Sequence, residues 1–152
     1  MNNAFRSRDV LKNVGYNLLS EGKSIRIQAH GYSMYPCIRP GSVLLIEPIS
    51  IKGKPVPGEI IAIKRESGLV VHRLVKTINK GGTEYYIARG DSNGLTDNPV
   101  KLNLIAGRIV RAEFSAGGGL ADVRINTSPA YIRNRIRVIW IILRKKILRF
   151  WR

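Results

Sequence analysis

The sequence predicts a mostly β protein, a coiled antiparallel sheet or partial barrel with an amphipathic helix at each end. Three observations predict it. Six short segments between Ser24 and Phe114 are rich in aliphatic and β-branched residues, and the first of them shows the period two of a half-buried strand. The 15 Gly and 7 Pro fall mostly between those segments, at the spacing that short antiparallel strands require. Helical periodicity appears before Ser20 and after Pro129, outside the strand-like region.

Ser7 is a suitable N-cap for a helix to about Ser20. Val10, Leu11, Val14, Leu18 and Leu19 share one face, and Arg8, Lys12 and Asn13 the other. That apolar face packs on the sheet or lies on a membrane or partner. Glu21-Gly22-Lys23 ends the helix. Ile25, Ile27 and Ala29 then alternate with Arg26, Gln28 and His30 as a first strand. Val43 to Ile46 reads as a strand and Pro48 to Pro57 as a basic loop. Glu59 to Arg65, Leu69 to Ile78, Glu84 to Arg89 and Leu104 to Phe114 are further strands. Glu66-Ser67-Gly68, Lys80-Gly81-Gly82 and a long loop from Gly90 to Lys101 separate them. Gly117-Gly118-Gly119 turns the chain into a last strand, Ala121 to Asn126. The organisation predicted is residues 1–22 as an N-terminal helix, 23–127 as a β-rich domain, and 128–152 as a basic C-terminal helix.

Pro129 suits the first turn of that last helix, which reaches about Trp151. Ile132, Ile136, Ile139, Trp140, Leu143, Ile147 and Phe150 recur at helical spacing with Arg or Lys between them. This is the composition of an interfacial amphipathic helix. A helix docked on its own domain or on a second copy is the alternative, so self-association stays open.

The formal net charge of +16 implies an acidic partner: an anionic membrane surface, an acidic polypeptide or a nucleic acid. From Val123 onward there is no Asp or Glu, against nine Arg and Lys, so over half of the excess lies in the tail. No recognisable DNA- or RNA-binding motif accompanies the charge, which ranks nucleic acid last. Cys37 is the single cysteine, so an intrachain disulfide is excluded. The opening residues mix charged and apolar positions and contain no secretory signal, and no segment approaches the about 20 apolar residues of a spanning helix. The expected location is therefore the cytoplasm, or the inner face of its membrane. The reading assigns no metal and no cofactor.

One stretch carries the chemistry: Gly31-Tyr32-Ser33-Met34-Tyr35-Pro36-Cys37-Ile38-Arg39-Pro40-Gly41-Ser42-Val43. Pro36 and Pro40 fix φ and restrict the residues before them, so the backbone around Ser33 is stiffer than an ordinary loop. A serine so placed is either a plain turn residue or a nucleophile held in one direction. Gly-x-Ser-Met-x-Pro followed by Pro-Gly-Ser-Val resembles the nucleophile box of the signal peptidase I family of serine peptidases. Pro57-Gly58-Glu59-Ile60-Ile61, Val71-His72-Arg73-Leu74-Val75, Ala88-Arg89-Gly90-Asp91-Ser92-Asn93 with Asp97, and Ile105-Ala106-Gly107-Arg108-Ile109 resemble its remaining boxes in order. The likeness covers about Ser24 to Val110. Bacterial members usually carry a lysine where this chain has His72. The histidine resembles the endoplasmic-reticulum and archaeal type, which uses Ser, His and Asp. Members are normally anchored by spanning helices, and no segment here reads as such an anchor, so a protein without it is expected.

The resemblance implies a coiled β fold of the signal-peptidase type and a peptide or protein substrate cleaved after a small residue. It implies Ser33 as nucleophile, His72 as general base and Asp97 as the group that orients the base. Asp91 is implied as a second orienter, or as a residue that supports the site or caps its loop. Gly31, Tyr32, Met34 and Pro36 are implied to border the substrate, with Met34 lining the pocket for a small side chain. Backbone amides must supply most of the oxyanion hole, since Gly31 stands where bacterial relatives can place a hydroxyl. From the residues alone, His72 in an apolar strand is also a satisfied core histidine, and His30 is a competing base. Lys64, Lys76 and Lys80 are the candidates for a serine–lysine mechanism, and none falls in the box position. Two other functions remain: a peptide-binding module without turnover, and a basic membrane- or nucleic-acid-binding protein.

Overall fold

The structure, a computed structural model, describes residues 13–116 and 119–123, with the helical residues 132, 136, 139, 140, 143 and 144. The expected N-cap at Ser7, the first turns of its helix and residues 124–126 of the last strand lie outside the described residues, as does most of the C-terminal helix.

Residues 13–20 are helical (α1) and end at the Gly22 turn, where Lys23 N–H donates to Leu18 O (2.9 Å). Eight strands follow: β1 (Ile25–Gln28), β2 (Val43–Pro48), β3 (Ile60–Arg65), β4 (Gly68–Lys80), β5 (Thr83–Arg89), β6 (Val100–Lys101), β7 (Ile105–Ala116) and β8 (Gly119–Val123). They form one open antiparallel sheet in the order β1-β2-β7-β3-β4-β5-β6, with β8 paired to β7. The six expected strand segments all occur within it. The last strand starts at Gly119, two residues before its expected start, because β7 runs on to Ala116 and the two close as a hairpin with Ala116 opposite Gly119. The basic loop after Pro48 contains a helical turn, α2 (Ile49–Lys52), the long loop after Gly90 contains β6, and a 3-10 turn, Leu102–Leu104, follows it, so that the next strand starts at Ile105 and not at Leu104. Elements of two to four residues are too short to show a period.

Burial follows the pleat. Leu44, Ile46 and Pro48 of β2 are buried while Val43, Leu45 and Glu47 are partly covered. Ile60 to Ile63 of β3 are fully buried on both faces, as a central strand with layers on each side requires. The alternation sorts them into two clusters. Ile60 and Ala62 join Leu44, Ile46, Ile109, Ala112, Met34, Ile38 and Leu19 of α1, so the amphipathic N-terminal helix packs on the sheet. Ile61 and Ile63 join Leu74, Tyr86, Ala88 and Val100 on the other face. Strand β7 lies tightly against its neighbour β2 at Gly107, where a Cβ would collide with the carbonyl oxygen of Glu47, so only glycine fits there. The sheet also curls. Residues of β1 and β4 line one groove although three strands separate them in the sheet order.

Candidate active site

The Ser33 loop leaves β1 and returns as β2. Its neck continues their ladder: Ala29 N–H donates to Ser42 O (2.8 Å) and Gly41 N–H to Ala29 O (2.6 Å). Within it, Tyr35 N–H donates to Tyr32 O (3.0 Å) and Ile38 N–H to Met34 O (2.8 Å). Met34 and Ile38 plug into the core and anchor these turns. Ser33 is thereby held half-buried between exposed Tyr32 and buried Met34.

Ser33 borders a groove of about 260 Å³. One wall is Ile27 to Gly31, the other is Leu69 to Val71 of β4, and Met34, Ile38 and Leu44 complete the lining. Both walls are strand edges. Strand β1 ends the sheet, and residues 68–72 of β4 pair with β3 on one side, whereas β5 joins β4 from Arg73 onward. An extended peptide laid in this groove meets two edges able to accept another strand. Of the residues expected to border substrate, Gly31 and Met34 line the groove. Tyr32 and Pro36 are exposed beside it and are not part of its lining.

His72 follows the groove wall directly and ends this free-edge stretch, opposite Ile61 of β3. It is buried, and its Nδ1 lies 2.5 Å from Asp97 Oδ2. An ionised carboxylate only accepts, so Nδ1 carries the proton donated to it and the lone pair is left on Nε2. Asp97 is held by its own backbone, Asp97 N–H donating to Ala88 O (2.8 Å).

Arg73 projects to the opposite face, where Asp91 binds it in a bidentate pair: Nε to Oδ1 at 2.9 Å and Nη2 to Oδ2 at 2.8 Å. Both side chains are almost completely buried. Arg73 also donates to Gly58 O (2.8 Å) and to Cys37 Sγ (3.3 Å), so Cys37 of the serine loop is drawn into the same cluster. Burial opposes the charge on Arg73, but the hydrogen bonds and charge of Asp91, with Cys37, outweigh it and raise the guanidinium pKa above the ordinary arginine value. The two aspartates thus have separate partners: Asp97 contacts the histidine, and Asp91 braces the arginine beside it. Asp91 holds the arginine that follows the histidine on β4.

Loop 90–97 joins these parts. Ser92 N–H donates to Ser33 O (2.9 Å), and Ser92 Oγ donates to Tyr32 O (2.8 Å) and Ser33 O (3.0 Å). Gly90 packs so close that a Cβ there would stand 2.7 Å from Ser33 O. The same loop therefore grips the backbone of Ser33 at one end and the imidazole of His72 at the other. Ser92 and Arg73 are the site residues that sequence reasoning did not assign. Ser92 lay within the quoted Gly-Asp box and Arg73 beside His72, but nothing in their spacing announces a backbone clamp or an ion pair. Among the described residues, no hydrogen bond joins Ser33 to His72.

The other candidate bases are placed differently. His30 lines the groove but is exposed, and among the described residues no carboxylate contacts it. Lys64 lies over the Tyr16 ring (5.6 Å), and Lys76 and Lys80 are exposed on β4. Among the described residues, no group of three or more His, Cys, Asp or Glu side chains is placed to hold a metal ion. No protein-family model and no curated protein matches this chain.

Proposed function

We propose that this chain is a serine endopeptidase of the signal-peptidase-like type, with Ser33 as nucleophile, His72 as general base and Asp97 as its orienter. The observation that carries the reading is the loop 90–97, which clamps the Ser33 backbone through Ser92 while its Asp97 bonds His72 Nδ1. Amide hydrolysis needs these parts. Ser33 Oγ attacks the scissile carbonyl as His72 Nε2 removes its proton, and the imidazolium returns that proton to the leaving amine. Water, deprotonated by the same nitrogen, then releases the acyl group and restores the serine. Asp97 holds the tautomer that makes Nε2 the base and stabilises the transient positive charge. The Ser33 N–H and a neighbouring donor face the developing oxyanion.

The groove supports a peptide bound as an added strand, with its side chains alternating into and out of an apolar floor. The open antiparallel sheet and the order of the boxes along the chain support this reading. The substrate in this reading is a precursor or leader peptide cleaved after a small residue, in the cytoplasm or at the inner membrane face. A second reading, a peptide-binding module that keeps the fold without turnover, is favoured by the missing Ser33–His72 hydrogen bond, although such bonds often tighten only when substrate is bound.

Active-site labelling separates the two. Wild type, Ser33→Ala and His72→Ala are incubated with a serine-reactive acylating probe at about pH 8, where ordinary histidine is neutral, and adducts are read by intact mass. The proposal expects one adduct on wild type that both substitutions abolish. A folded wild-type protein that stays unlabelled, or is labelled equally after Ser33→Ala, refutes it.

A further inference from the structure

The C-terminal helical residues carry a surface that the peptidase reading leaves unused. Ile132, Ile136, Ile139, Trp140 and Leu143 are helical, and each is at least half exposed, Ile136 at 62% and Trp140 at 64%. Their spacing of four, three, one and three residues confines them to about 100° of a helix circumference, because each residue advances by roughly that angle. An apolar stripe of this kind is not left in water without a partner. We propose that it docks on an anionic lipid surface.

Three properties choose this partner. The first is charge. Nine of the sixteen net positive charges follow Val123, and no Asp or Glu accompanies them. A negatively charged leaflet attracts such a segment, whereas a second copy of it repels. The second is the stripe itself. Nucleic acid would satisfy the arginines but leave five large apolar side chains in water, and an acidic groove for a helix would need both charges and apolar pockets in register. A lipid headgroup layer offers anions above and hydrocarbon below without any register. The third is Trp140, whose ring has the Arg144 guanidinium 5.9 Å from its centre, a cation beside an amphipathic ring as suits the headgroup level. Among the described residues, no helix is long and apolar enough to cross a membrane, so the association proposed is with the surface. It does not depend on Ser33 and stands or falls separately from the peptidase reading.

The chain carries its own reporter, because both of its tryptophans, Trp140 and Trp151, lie in this segment. In a full-length Trp151→Phe background, Trp140 emission is followed as vesicles are added. The expected result is a blue shift and co-sedimentation with phosphatidylcholine vesicles containing phosphatidylglycerol, weakened by salt and absent with phosphatidylcholine alone. Ile136→Asn should lower the partition coefficient about tenfold or more, through lost apolar burial. Arg133→Gln, Arg137→Gln and Arg144→Gln should each lower it about fivefold. Ser33→Ala should leave it unchanged. Equal binding to neutral vesicles would overturn the anionic partner. A shift that follows protein concentration without vesicles, or that duplex DNA produces and vesicles do not, would overturn the lipid surface altogether.

Discussion

His72 and Arg73 are neighbours on one strand, and each holds a carboxylate from the same loop, yet the two pairs are built differently. The Arg73–Asp91 pair is bidentate and sealed, with 3% and 1% of the side chains exposed. The His72–Asp97 pair has a single contact, and its carboxylate is 20% exposed. A sealed pair with every hydrogen bond met resists change, because removing either member strands a charge in a place water does not reach. A single contact to an imidazole leaves one ring nitrogen for chemistry. Strand alternation sends the two side chains to opposite faces, so one loop holds an arginine and a histidine without either pair disturbing the other.

The largest expected effects break the chemical pair. Ser33→Ala and His72→Ala should each lower the acylation rate by about 10⁴-fold or more, and Ser33→Ala should leave the denaturation midpoint nearly unchanged. Next, Asp97→Asn should cost about 10³- to 10⁴-fold in the same assay, because an amide favours the wrong tautomer of His72. If Asp97→Asn labels at the wild-type rate, Asp97 is not the orienter.

The buried pair should respond the other way. Arg73→Ala or Asp91→Ala is expected to destabilise the fold by about 3–5 kcal/mol in urea. The double replacement Arg73→Met with Asp91→Leu should recover most of that loss, since it leaves no orphaned charge. A double mutant no more stable than either single would show that the brace acts through more than its charges.

Gly90→Ala tests the clamp between the halves. The added methyl meets the Ser33 carbonyl oxygen at 2.7 Å. A stability loss of about 1–3 kcal/mol is expected, with slower labelling of Ser33. Slower labelling without a stability loss would mean that the methyl shifts the serine and strains little else.

The smallest effect separates fold from site by pH. Tyr86 donates to Glu84 Oε2 at 2.6 Å on the face that carries the Tyr86–Leu74 cluster. Burial and that carboxylate push its phenol up to about 12. The folded state therefore keeps a proton that the unfolded chain releases near pH ~10. The stabilisation is complete below about pH 10 and is lost as pH rises toward 12. Wild type should thus lose stability more steeply than Tyr86→Phe over that window. Parallel slopes for the two proteins would remove this tyrosine from the alkaline limb.

Much of this was legible without coordinates, for identifiable reasons. Strands β2, β3 and β4 announced themselves by short apolar, β-branched runs bounded by turn residues, which depend on neighbouring residues alone. The Ser33 turn was legible because Pro36, Pro40 and Gly41 constrain the backbone wherever they occur. Helix α2 and strand β6 were not, since elements of four and two residues are too short to show a period. The clamp by Ser92 was hidden for another reason, as it joins backbone atoms 59 positions apart and leaves no mark on either residue type.

Local chemistry alone sets the strand pattern, the stiffness of the serine loop, the place of His72 next to an arginine, and a charge concentrated in the last thirty residues. These follow from dihedral limits, alternation and composition, which act over a few neighbouring residues. Only the tertiary structure decided which aspartate meets which partner, and that two distant strand edges curl round one groove beside Ser33. Those outcomes depend on how far the sheet coils and where loop 90–97 crosses it, and such distances are set by the packing of the whole core.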